Sequence, residues 1–176
     1  MTTHTYARIA SIATLAAFTI TGPVCAGGDK VAFPESHEAG VLFTTVDRPD
    51  NKQFREVYTS AAAVEAAKNG EPLPDGTVIT LRQYAAKLDA QGNPEKDANG
   101  RFIKGNLVAY TVMEKRAGWG KEYPDDIRNG EWEYQAFTAD KKVNDKAVLA
   151  NCFKCHKPLD KQDYVYLYDK MKAAAK

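Results

Sequence analysis

Apolar and polar residues alternate with period two in four stretches of this chain: residues 53–59, 77–84, 106–114 and 131–138. Alternation sends successive side chains to opposite faces, so each stretch predicts a half-buried antiparallel strand. After the first stretch the pattern changes. Ser60 is an N-cap for an alanine-rich helix over 61–68, and Asn69-Gly70 stops it. Pro72, Pro74 and Asp75-Gly76 then form a turn. Residues 27–51, with Pro34, Gly40 and Pro49, read as irregular apart from a short helix near 35–39. Residues 85–105 are a polar excursion whose Gln91-Gly92-Asn93-Pro94 and Asp97-Ala98-Asn99-Gly100 segments predict a long hairpin or loop, by default a solvated connection. Residues 115–130 are charged and turn-rich. A short helix over 143–155 and a terminal helix over 164–175 complete the chain, which has no internal repeat and no low-complexity tract.

The first 26 residues have a different character. Arg8 precedes an apolar run from Ile9 to Ile20, Gly22 and Pro23 break it, and Val24-Cys25-Ala26 suits a signal peptidase. The expectation is a cleaved export signal over 1–26 and one domain over 27–176. The run is short against the roughly 20 apolar residues that a membrane span needs, which disfavours an uncleaved anchor. A lipid anchor on Cys25 is weaker still, because Pro23 and Val24 fit poorly before a lipidated cysteine. No span is expected after cleavage, and the expected location is the periplasm.

Cleavage leaves two cysteines, Cys152 and Cys155, in Asn-Cys-Phe-Lys-Cys-His-Lys-Pro. Three chemistries compete for them in an oxidising compartment. One is a short-loop disulfide. Another is zinc, but zinc wants four ligands and His37 is the sole further histidine of the mature chain. The third, covalent haem c, suits the spacing best: two thioethers fix the porphyrin edge, and the adjacent His156 reaches the iron as proximal ligand.

Loss of Arg8 with the leader leaves basic and acidic side chains equal in number. No single-sign field exists to attract phosphate, so a nucleic-acid partner is not expected. The late motif also argues against an all-helical class I cytochrome, which carries C-x-x-C-H near its front. A four-helix cytochrome c′ carries it late, but has no place for four period-two strands. The expected fold is α+β, mainly antiparallel sheet with short helices, with haem attached at a C-terminal helical segment.

Five pieces of the mature chain, in this order, resemble the cytochrome P-460 family, which includes the cytochromes c′-β. They are FREVYTSAAAVEAAKNG at 54–70, PDGTVITL at 74–81, VAYTVMEK at 108–115, GEWEYQAF at 130–137 and NCFKCHKPLDKQDYVY at 151–166. The resemblance implies a sheet-rich homodimer with a five-coordinate haem, open on its distal side to small gaseous or nitrogenous ligands. Its known roles are hydroxylamine oxidation and nitric oxide binding. Enzymatic members carry a lysine cross-linked to the porphyrin, at a position that falls on Leu81 here; Lys87 lies beyond the expected strand end. Their distal carboxylate falls on Thr111, while Glu114 points to the other face of a regular strand.

Leu81 and Thr111 supply neither cross-link nor base. An apolar distal wall favours a neutral diatomic such as nitric oxide over a polar substrate. The sequence reading therefore leans to gas binding, with a hydroxylamine-oxidising enzyme and a six-coordinate electron carrier as alternatives. The resemblance also puts Phe54 and Arg55 near the distal side, as a phenyl cap and a cation; the plain reading is a core aromatic and a surface charge. Met113, Met171 and His37 are the side chains that could close the sixth position, and each is more simply structural. Lys154 and Lys157, beside the motif, are solvated charges by default and a docking site for an acidic redox partner otherwise.

Overall fold

The computed structural model describes Met1 and residues 30–174. The expected signal over 1–26 lies, apart from Met1, outside the described residues. Five antiparallel strands form one sheet in sequence order: β1 (Val41–Arg48), β2 (Gln53–Thr59), β3 (Val78–Ala86), β4 (Lys104–Lys115) and β5 (Trp132–Thr138). Helix α1 (Ala61–Asn69) joins β2 to β3, while α2 (Ala150–His156) and α3 (Tyr168–Ala173) follow the sheet. The fold is thus mixed α+β, dominated by antiparallel sheet with short helices. Among the described residues no helix is long and apolar enough to cross a membrane.

Strand β1 corrects the irregular reading of 27–51. Its Val-Leu-Phe-Thr-Thr-Val run is rich in strand formers. A bulge between Leu42 and Thr44 breaks its pairing with β2, and with it the alternation that reveals the other strands. The expected helix over 143–155 is also shorter. Val143 bridges to Phe137 instead, and helix begins only at Ala150. The excursion after β3 is a folded-back hairpin, pinned where Arg101 Nε donates to Asp47 at 2.8 Å.

The two sheet faces bury different chemistry. One packs Phe43, Val57, Ile79, Met113, Trp132 and Tyr134 against the helical side, including Phe153 of α2 and Met171 of α3. Ser60 caps α1 by accepting from the Ala63 N–H at 3.2 Å, and Gly70 ends it in a left-handed conformation, φ 75°. Ala63 and Ala67 are fully buried, and such small side chains let α1 sit close to α3 and β1. The opposite face carries a smaller cluster of Val31, Tyr110, Val112 and Phe137, with Phe33 beside it.

Glu56 is buried on that second face. It accepts from Lys104 Nζ at 2.7 Å, Tyr84 Oη at 3.1 Å and Tyr58 Oη at 3.2 Å, with Arg82 3.8 Å away. Burial alone would raise its pKa, but the Lys104 and tyrosine hydrogen bonds outweigh it, so the carboxyl lies below its ordinary 4.5. A lowered native pKa stabilises the fold above the unfolded-state value, and this contribution is lost as pH falls through the native one. We expect Glu56→Gln to lower the urea midpoint most at neutral pH. The gap to the wild type should shrink as pH drops through 4.5 and below, as measured by urea titration across that range.

Candidate functional site

Helix α2 carries the Cys-x-x-Cys-His segment. Residues three and four apart share a helix face, so Cys152, Cys155 and His156 lie together. Phe153 turns the other way and is buried, its ring centroid 4.9 Å from Tyr123 and 4.8 Å from Tyr134. That anchor fixes the rotation of the helix. Asn129, also buried, donates through Nδ2 to Tyr134 Oη at 2.9 Å and to the Phe153 carbonyl at 3.0 Å. Lys157 Nζ donates to the carbonyls of Asp125 and Arg128, tying the end of α2 to the β4–β5 connection.

The three residues open onto a cavity of about 580 Å³ between α2 and the first face of the sheet. Its size lies in the usual range of small-molecule and cofactor sites. Val46 and Arg48 of β1, Arg55 and Val57 of β2, Ile79 and Leu81 of β3, and Thr111 and Met113 of β4 form the sheet wall. Tyr134 of β5 forms the floor beside His156, ring centroids 5.0 Å apart. Val165, Tyr166 and Leu167 close the remaining side.

The register explains why these side chains converge. Val57 pairs with Leu81 and Leu81 with Thr111, so one row of the sheet crosses the cavity. Thr111 Oγ1 accepts from Gln83 Nε2 at 2.5 Å. Arg55 donates twice to the neutral Gln53 Oε1, at 3.0 and 2.8 Å. Burial and the neighbouring Arg48 both push its pKa down. Arg48 is itself paired with Asp50 through two bonds of 2.9 and 2.7 Å.

The imidazole of His156 is oriented by the backbone. His156 Nδ1 lies 2.6 Å from the Tyr164 carbonyl oxygen. A carbonyl can only accept, so the proton sits on Nδ1 and the Nε2 lone pair is free. Burial pushes the His156 pKa down, only partly opposed by that bond, which keeps the ring neutral as a ligand must be. Burial also raises the pKa of the Cys152 thiol. Cys152 and Cys155 are free thiols, not a disulfide. Among the described residues no group of three or more His, Cys, Asp or Glu is placed to hold a metal ion. Zinc would need four ligands, whereas the iron of a haem already has its four porphyrin nitrogens and asks one residue of the chain.

Residues 35–167 match the cytochrome P460 family. The chain belongs to that family. Membership carries a haem-binding, redox-type function and implies haem c as the cofactor. No curated protein matches the chain. The site fits the implied group: two thiols and a neutral imidazole with a free Nε2 face one cavity, walled largely by apolar side chains.

Of the residues singled out in the sequence, Leu81, Arg55, Thr111, Cys152, Cys155 and His156 all line this cavity. Phe54 does not. It neighbours Arg55 on a regular strand and so turns to the second face, where its ring lies 6.4 Å from that of Tyr84. Lys87 is absent from the wall and pairs with Glu95 at 2.7 Å. His37 is also remote, its Nδ1 2.8 Å from the Pro34 carbonyl and its ring among Phe33, Tyr58 and Tyr110. Sequence reasoning missed Arg48 and Val46, because β1 itself was missed. It also missed Val57 and Tyr134, which alternation from Arg55 and from the β4–β5 pairing would have placed on the same face.

Removing Asn129 leaves the Tyr134 hydroxyl and the Phe153 carbonyl without their shared donor in a buried place. Leaving buried polar groups unpaired costs roughly 1–3 kcal/mol. We expect Asn129→Ala to lose about 2 kcal/mol of unfolding free energy, read from urea denaturation followed by tryptophan fluorescence.

Proposed function

We propose that the chain is a periplasmic mono-haem c-type cytochrome whose pocket admits a small nitrogen compound for a redox reaction. In this reading the leader over 1–26 is removed and residues 27–176 form one haem domain that pairs as a homodimer. Cys152 and Cys155 carry the haem by thioethers, and His156 Nε2 is the proximal ligand. The observation that carries the reading is the convergence of these three side chains on one cavity, with the Nδ1 proton already held by the Tyr164 carbonyl. When bound there, the haem supplies an iron centre that can change oxidation state and take a small sixth ligand.

The chain's own residues divide the pocket. Tyr134 lies beside His156 with the two rings tilted by 52°, and its cross-strand partner Met113 lines the same cavity. Met171 is fully buried in the core, and His37 lies on the second face. Of the three side chains that could close the sixth position, two are thus away from the cavity, which favours an open iron over a closed electron carrier. Val57 and Leu81 exclude water from the sheet wall. Arg48, Arg55 and Thr111 are the polar side chains of the sheet wall that can orient a ligand.

Two chemistries suit such a pocket. Family membership favours an oxidoreductase of the cytochrome P-460 type, acting on hydroxylamine. Leu81, where enzymatic relatives are expected to carry a cross-linking lysine, favours reversible binding of nitric oxide. The family match spans most of the chain and the wall residue is one position, so we place oxidation first.

Absorption spectra of the reduced protein with and without carbon monoxide test the open iron. We expect a clear shift of the Soret band; a low-spin spectrum that carbon monoxide leaves unchanged would overturn it. The intact mass should exceed that of the mature chain by one haem, and Cys152→Ala with Cys155→Ala should abolish the gain. Ferric protein mixed with hydroxylamine should become reduced and turn over with an electron acceptor. Failure to do so, alongside tight nitric oxide binding, selects the gas-binding alternative.

A further inference from the structure

Beyond the pocket, one ion pair reaches towards the proximal histidine from the end of the sheet. Lys115 is the last residue of β4, and its Nζ lies 2.8 and 3.0 Å from the two carboxylate oxygens of Asp163. Both side chains are largely shielded from solvent, 14 % and 13 % exposed. The same ammonium donates to the Leu73 carbonyl at 2.8 Å, and Asp163 Oδ2 accepts the Leu73 N–H at 2.8 Å. One carboxylate thus fastens the segment after α2 to β4 and to the turn before β3.

The backbone at this point needs fastening. Asp163 and Tyr164 are consecutive non-glycine residues in the left-handed region, with φ of 52° and 60°. Such residues persist where their surroundings hold them. The Asp163 and Tyr164 N–H groups both donate to the Leu159 carbonyl, but those bonds lie within the segment and do not tie it to the sheet. The carbonyl of Tyr164 is the acceptor for His156 Nδ1–H.

We propose that Lys115 and Asp163 are positioning residues for the proximal ligand: their ion pair fixes the Asp163–Tyr164 turn, and the turn fixes the carbonyl that orients His156. The inference rests on the haem reading of the site. A firm Nδ1–H···O=C bond raises the basicity of Nε2, which strengthens its bond to iron and favours the oxidised state. Loosening the turn weakens that bond, so the iron–histidine stretch moves to lower frequency and the reduction potential rises.

Lys115→Met separates this from a simple charge effect. Deleting a positive charge would by itself favour oxidised iron and lower the potential, whereas losing the lock raises it. Holoprotein of the wild type, Lys115→Met, Asp163→Asn and Lys115→Arg would be compared by resonance Raman spectroscopy of the ferrous state and by redox titration. We expect both lock-breaking variants to lower the iron–histidine frequency and raise the potential. Lys115→Arg, which can still span the carboxylate, should stay at wild-type values. An unmoved frequency, or a potential that falls in Lys115→Met and rises in Asp163→Asn, would overturn the proposal. If Lys115→Met does not fold, Lys115→Gln keeps a donor for the Leu73 carbonyl without the charge and is judged on the same two readouts. Wild-type protein without covalent haem would instead defeat the haem reading, before any variant is made.

Discussion

The register of the antiparallel sheet is the constraint on which the rest of the molecule depends. Side chains on a strand alternate strictly, so a slip of one residue exchanges the two faces. Here Val57, Leu81 and Thr111 stand in one row facing α2, while Glu56, Arg82 and Tyr110 stand in the next row facing away. A slip would put the Glu56 cluster of charges into the apolar cavity and the leucine wall into a polar network. Both faces therefore oppose the same error.

The histidine side is built differently, from backbone rather than from rows of side chains. Phe153 sets the rotation of α2, Asn129 holds its carbonyl, and Tyr164 offers a carbonyl to His156. None of these brings a charge to the imidazole itself. The half-buried imidazole stays neutral and keeps its Nε2 lone pair, while charged groups stand one layer out, Lys115 paired with Asp163 and Lys157 donating to carbonyls of the β4–β5 connection.

Much of this was legible in the sequence, for identifiable reasons. Strands β2 to β5 announce themselves by period two, and α1 by its serine cap and glycine stop. The Cys-x-x-Cys-His spacing singles out Cys152, Cys155 and His156, and the structure brings the three to one cavity. Strand β1 was hidden because its bulge interrupts alternation where the run begins. Phe54 was assigned to the pocket beside Arg55, although adjacent strand residues cannot share a face. The Tyr164 carbonyl and the Asp163 turn have no sequence signature: Asp and Tyr rarely adopt left-handed backbone, and only the assembled contacts hold them there. The long polar excursion after β3 reads as a hairpin or loop, and of the two it is the folded-back hairpin, but its Arg101 clamp to Asp47 joins residues far apart in the chain.

The place of α2 behind the sheet has a consequence for assembly. Each strand pairs with its neighbour in sequence, so no strand pairing has to span another strand. Cys152 and Cys155 follow all five strands of that wall in the chain. The side formed by Val165, Tyr166 and Leu167 comes later still, downstream of the histidine. The cavity is thus a box whose last wall follows, in chain order, every residue that forms the others.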